Sequence, residues 1–283
     1  MLLDGALPER VSDHDGVPAM IEAFKSDTDG KKVNLGPGMY CDDDAKTWVL
    51  PAVAKARKIL LTDPNFNHDV LPQLGYPDFV SVARQITFGD TLDTRTIVSM
   101  QTIAGTGANQ FFAHFMSDAL RPAKVYLADF YCFASSSQGF ATGDIDNDGW
   151  AIRHFTKCAN GKMEFAVAQS FSKNFGLYGE RIGALHLVVD NRNIAARVEE
   201  TLKRIARAEI TSPPGFGAKI IATVMQTSAL REQWQQDIKT MSSRLQNIRQ
   251  RLYDELTKRS TPGNWGHFVT DVGISKHLSL GIC

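Results

Sequence analysis

Cysteine is scarce in this chain: Cys41, Cys132, Cys158 and Cys283 stand far apart, with no paired spacing. That excludes a disulfide framework and a zinc-binding motif, and the four read as reduced thiols of an intracellular protein. A surplus of either charge is also missing. The 31 basic and 31 acidic residues cancel, so no basic balance points to nucleic acid or an anionic membrane. No apolar run approaches the length of a membrane span. The opening Met1-Leu2-Leu3-Asp4-Gly5 lacks the basic start and apolar core of a secretion signal. The cytosol is therefore the expected compartment, with the mitochondrion as the alternative. Gly-x-Gly-x-x-Gly and a phosphate-loop lysine are absent, which argues against a nucleotide-binding module.

What is present is ordinary for a soluble globular protein: 43% apolar and 22% charged residues over 283 positions, enough for one large or two modest domains. Helical and strand-like stretches alternate, which predicts an α/β fold with a mostly parallel sheet. Helices are expected over Val17–Lys25, Leu50–Leu61, Pro77–Phe88, Ala108–Leu120 and Ile194–Arg207, and one long amphipathic helix over about Phe216–Leu256. Strands are expected over Lys32–Leu35, Thr96–Ile103, Lys124–Leu127, Met163–Ala168 and Ile182–Val189.

The chemistry gathers around one lysine. In Gln169–Gly183, Lys173 follows an apolar strand, with Ser170 three residues before it and Arg181 eight after. A lysine at a strand end is poised for partial burial, which removes water from its amine and lowers its pKa. Such an amine attacks a carbonyl and holds it as a Schiff base. Ser170 and Arg181 are suited to hold a phosphate on the same carbonyl compound, and a lysine imine with a phosphate clamp is what pyridoxal 5′-phosphate requires. A lone Ser-x-x-Lys is usually a surface lysine in a turn; here the whole run and its context count. Gly105-Thr106-Gly107, between an expected strand and helix, adds a second anion-binding element, because N–H groups at a helix start attract negative charge.

Gln169–Gly183 closely resembles the cofactor-lysine segment of the aspartate aminotransferases, class I pyridoxal-phosphate enzymes of fold type I. The resemblance implies that Lys173 carries pyridoxal 5′-phosphate and that Ser170 and Arg181 hold its phosphate. Gln101–Ala108 resembles the family's phosphate cup, with Gly105 and Thr106 as donors and Ala104 where serine or glycine is usual. Asn34–Tyr40 resembles the substrate loop, where Gly38 presents its backbone to the α-carboxylate. Arg207 matches the arginine that reaches the neighbouring subunit's site and pairs with the substrate's side-chain carboxylate. The implied reaction moves an amino group between aspartate and 2-oxoglutarate, in a homodimer that handles amino acids and 2-oxo acids. The implied large cofactor domain spans 49–240, and 1–48 with 241–283 form the remnant of a small domain.

The resemblance also breaks. Val125-Tyr126-Leu127 matches one family strand, and Gln138–Asp144, a few residues on, matches a segment much further along the family's chain. A central block is expected to be missing at the junction 130–137. Ala134 stands where the ring-nitrogen aspartate belongs, Ser137 where a tyrosine flanks the ring oxygen, and Val70 where a tyrosine binds the partner's phosphate. No residue after His277 matches the arginine that clamps the α-carboxylate. Two readings follow: an enzyme of the aspartate aminotransferase type, or a catalytically silent relative that associates with an intact subunit.

Overall fold

The computed structural model describes residues 16–32, 34, 38–89, 94–120, 138–159 and 163–270. The chain separates into two units, Met1–Met39 and Tyr40–Cys283. In the first, α1 (Gly16–Ser26) ends where Lys32 turns back on it. The Lys32 Nζ donates to the carbonyls of Phe24, at 2.8 Å, and Asp27, at 2.6 Å.

The second unit holds the sheet. Strands β1 (Ile97–Ile103), β2 (Phe165–Ser170) and β3 (Ile182–Val188) lie in the order β1-β3-β2. The α/β class holds, but the expected mostly parallel pairing does not describe these three strands. Both pairings are antiparallel, with Ile103 opposite Ile182 and Ser170 opposite Gly183. The reason is the connection. β2 and β3 are joined by 171–181 without a helix, and a parallel crossover ordinarily needs one. The outer strands β1 and β2 therefore run parallel to each other and place their C-terminal ends on the same edge. The strand expected at Lys124–Leu127 and the junction 130–137 lie outside the described residues, as do two positions of the strand expected at Lys32–Leu35.

Helices cover the sheet. Proline occupies the first turn of α2 (Pro51–Thr62) and of α3 (Pro77–Phe88), where its missing N–H costs nothing. Gly89, at φ 71°, closes α3 in the left-handed region that glycine enters freely. α4 (Ala104–Phe115) follows β1 directly and passes into a π-helical turn, Met116–Leu120. α5 (Ile145–Ala159), which the sequence pattern did not suggest, is capped by Asp144, whose Oδ1 accepts from the N–H of Asp146 and Asn147 at 2.8 Å each. α6 (Arg192–Glu209) starts at Asn191, whose side chain accepts from two N–H groups of its first turn.

The expected single helix over 216–256 is two. α7 (Phe216–Gln226) and α8 (Ser228–Lys258) meet at Thr227, which is extended. The apolar spacing continues across the break, so periodicity alone joins them; a β-branched residue followed by serine has weak helix preference and permits the bend. A last short helix, α9, spans His267–Thr270. Among the described residues no helix is long and apolar enough to cross a membrane.

The core between α2, α3, α7 and α8 receives Phe171 and Phe175, both fully buried, from either side of Lys173. Trp234 of α8 stacks on Phe175 at 4.6 Å and donates its indole N–H to the Asn174 carbonyl at 2.8 Å. The buried Asp237, one turn further along α8, accepts from the Ala52 N–H at 2.9 Å and so caps α2, which has no cap of its own. The lysine loop is thus held by aromatic burial on both flanks and by α8 behind it.

Candidate active site

The predicted residues converge on one edge of the sheet. Lys173 lies in the turn after β2 and is half-buried. Its ammonium sits 5.3 Å from the centre of the Tyr178 ring, a cation–π contact. Burial lowers its pKa below the ordinary lysine value, and the positive charge of Arg181 lowers it further. Both influences favour the neutral amine that a carbonyl chemistry needs.

Ser170 ends β2. Its hydroxyl donates to Ser172 Oγ at 3.2 Å and accepts from the Ser172 N–H at 3.4 Å. Across the sheet edge, a Cβ built on Gly105 would lie 3.4 Å from Ser170 Cβ. The first turn of α4 therefore stands directly against the end of β2, with no side chain between them at Gly105. Gly105-Thr106-Gly107, read in the sequence as a turn before the helix, is the first turn itself. This alters the details and keeps the helix start beside the strand: the helix has no side-chain cap, and its first turn packs against the end of β2 at Ser170. Thr106 is exposed there.

Two backbone features hold this junction. Ala104 adopts φ 54° and donates its N–H to the Arg181 carbonyl at 3.0 Å, while its own carbonyl accepts from Thr102 Oγ1 at 2.9 Å. Glycine enters this left-handed φ freely, whereas alanine bears a strain of about 1 kcal/mol. Beneath it, Gly183 is required by space. An added Cβ would meet the Ala104 carbonyl carbon at 2.4 Å and the Gln169 oxygen at 2.7 Å. Glycine at 183 lets β1, β2 and the start of α4 close on one another.

Arg181 is exposed, at φ 55°, and its Nη1 donates to the Tyr178 carbonyl at 3.0 Å. Tyr178 is the participant that the sequence reading missed. Its ring underlies Lys173, its carbonyl steadies Arg181, and its hydroxyl oxygen accepts from the Tyr40 N–H at 2.9 Å. Burial pushes its phenol pKa up. Its only signal in the sequence was its place inside the lysine run.

Gly38 is exposed and belongs to the first unit. Arg207 is exposed in the last turn of α6. Val70 is 78% exposed, and its isopropyl group has no hydrogen bond to offer. Ala134 and Ser137 lie outside the described residues.

The aldehyde and phosphate ends of a pyridoxal phosphate fit these residues. There is a half-buried amine of lowered basicity, a hydroxyl, a helix start with no side-chain cap and glycine at its second position, and a guanidinium on the same edge. The position that the resemblance assigns to the ring nitrogen, Ala134, lies outside the described residues.

Comparison with known proteins gives the family. The family description "Aminotransferase class I and II" matches residues 136–274. The cytoplasmic aspartate aminotransferase of Saccharomyces cerevisiae is 31% identical over 345 aligned positions, covering 92% of this chain and 82% of the relative. Those positions outnumber the 283 residues of the chain, so the relative carries internal sequence with no counterpart here. The solved structure of the Saccharomyces cerevisiae cytoplasmic enzyme superposes with a TM-score of 0.85 at 30% identity, covering 96% of this chain and 87% of the other. An aromatic-amino-acid aminotransferase from Burkholderia pseudomallei, covalently bound to pyridoxal phosphate, shares the fold with a TM-score of 0.84 at 24% identity, covering 96% and 87%. Fold, lysine loop and sequence together place this chain in the aspartate aminotransferase family of class I and II aminotransferases.

Proposed function

We propose that the chain binds pyridoxal 5′-phosphate on Lys173 and transfers the amino group of aspartate to 2-oxoglutarate. The observation that carries this reading is the meeting of Lys173, Ser170, Gly105 and Arg181 at one end of the sheet. When bound, the cofactor supplies an aldehyde to the amine and a ring that draws electrons from the substrate's Cα–H bond. Lys173, relieved of part of its proton affinity, takes and returns the proton at the substrate Cα as general base and acid. Ser170, the first-turn N–H groups at Gly105 and Thr106, and Arg181 hold the phosphate. The Gly38 backbone meets the α-carboxylate. Arg207 reaches across a homodimer interface and pairs with the second carboxylate of the substrate, a task suited to a planar guanidinium. The cofactor-bearing domain runs over 49–240, with 1–48 and 241–283 as the smaller remnant. The cytosol is the proposed compartment, in keeping with the cytoplasmic relative.

Ala134 and the exposed Val70 favour a second reading, a silent relative that associates with an intact subunit. A carboxylate beside the ring nitrogen keeps the ring an electron sink, and its loss slows proton removal by orders of magnitude. One experiment separates the readings. The purified chain is incubated with pyridoxal phosphate and assayed for aspartate-dependent formation of glutamate from 2-oxoglutarate. Turnover that Lys173→Ala abolishes supports the enzyme. Cofactor retention without turnover supports the silent relative. Failure to retain the cofactor overturns both.

A further inference from the structure

One side chain joins Lys173 to the segment that follows Gly38 in the chain. Residues 40–48 form a small hairpin. Cys41 bridges Thr47, the Asp42 N–H donates to the Lys46 carbonyl at 2.8 Å, and the Trp48 N–H donates to the Tyr40 carbonyl at 3.1 Å. α8 holds the hairpin through Arg244. Its Nη1 donates to the Cys41 carbonyl at 2.8 Å, its Nη2 lies 2.6 Å from Asp43 Oδ1, and its guanidinium stands 5.3 Å from the centre of the Tyr40 ring. The lysine loop holds the hairpin at two more places. A Cβ on Gly176 would come within 3.6 Å of the Trp48 carbonyl oxygen, and the Tyr178 hydroxyl accepts from the Tyr40 N–H at 2.9 Å. The same half-buried tyrosine presents its ring 5.3 Å from the Lys173 ammonium. Its hydroxyl is fixed on backbone, so the ring cannot swing away from the amine without breaking a hydrogen bond.

We infer that Tyr178 is a positioning residue for Lys173: its ring face holds the ammonium at the sheet edge, and its hydroxyl, anchored on the Tyr40 N–H, holds the ring. The inference rests on Lys173 as the amine that reacts with an aldehyde, and on neither cofactor retention nor turnover. The ring face attracts the ammonium electrostatically, against the partial burial and the charge of Arg181 that disfavour it. Hairpin, tyrosine and lysine then keep a fixed spacing, which sets the reacting amine against the segment after Gly38.

The test traps the amine in the full chain with pyridoxal and cyanoborohydride across a pH series, and reads the label on the Lys173 peptide by mass spectrometry. Tyr178→Leu fills the space without a ring. It should move the pH midpoint at Lys173 down by about half a unit, since no ring face favours the ammonium. A residue that only filled space would leave the midpoint in place. Tyr178→Met repeats the measurement if the leucine variant unfolds. Tyr178→Phe keeps the ring and should hold the midpoint within about 0.2 unit of the wild type. In the same variant the Tyr40 amide should exchange with deuterium roughly five to ten times faster, because its acceptor is gone. An unmoved midpoint without the ring, an equal shift in Tyr178→Phe, or unchanged exchange at Tyr40 would overturn the inference alone. Absence of label on Lys173 in the wild type would overturn it together with the proposed function.

Discussion

Lowering the pH from 7 to 5 should weaken this fold by about 2 kcal/mol through His186 alone. His186 is fully buried in β3, with Nδ1 2.8 Å from Ser99 Oγ and Nε2 3.0 Å from Gln169 Oε1. The ring of Phe88 meets it edge-on at 5.4 Å. With the Gln169 oxygen as acceptor, the ring proton sits on Nε2 and the Ser99 hydroxyl donates to Nδ1. Protonation need not break that bond, because the hydroxyl can turn and accept. The cost is burial of a cation, increased by the nearby charge of Arg84, and together these push the pKa from 6.5 down to about 3. The folded pKa is the depressed one, so the unfolded chain binds the proton first. Stability is intact above about pH 6.5, falls by about 1.4 kcal/mol per pH unit below it, and levels off near pH 3. Urea unfolding of the wild type and His186→Gln at both pH values isolates the effect, since other titrating groups such as the half-buried Asp148 are common to both. The variant is expected to lose about 2 kcal/mol less than the wild type between pH 7 and 5. Equal losses in the two proteins would refute the reasoning.

Two further outcomes follow from the sheet edge. Gly183→Ala should destabilise the protein by about 3 kcal/mol, through the overpacking that a Cβ 2.4 Å from Ala104 would force, and should weaken cofactor retention; urea midpoints and gel filtration after cofactor loading check it. Arg181→Gln should raise the pH at which Lys173 reacts with pyridoxal, the phosphate-free aldehyde, because it removes a neighbouring positive charge. The wild-type midpoint is expected below the ordinary lysine value of 10.5, and an unmoved midpoint would show that burial acts alone.

The parts of this molecule legible from sequence are those fixed by local pattern. α2 and α3 announce themselves through Pro51 and Pro77, and β1 through its β-branched run. The lysine loop was readable because its chemistry lies in one continuous stretch, and the structure does bring Ser170, Lys173 and Arg181 to a single edge. Strand direction was not legible. Periodicity carries no information about which way β3 runs, and the absence of a helix in 171–181 was the one available clue. α5 was hidden because Gly149 and its aspartates dilute the apolar pattern, although Asp144 stands in the capping position. The break at Thr227 is a tertiary decision, taken as Leu230, Trp234 and Ile238 turn into the core. Tyr178 could not have been singled out, since its role rests on contacts with Tyr40, Lys173 and Arg181 that sequence spacing does not display.

The most direct measurement is where the cofactor attaches. The chain is mixed with pyridoxal phosphate, reduced with borohydride, digested and analysed by peptide mass spectrometry. One modified peptide is expected, with the added mass on Lys173 and none in Lys173→Ala. Label spread over exposed lysines, or fixed on a single different one, would contradict it.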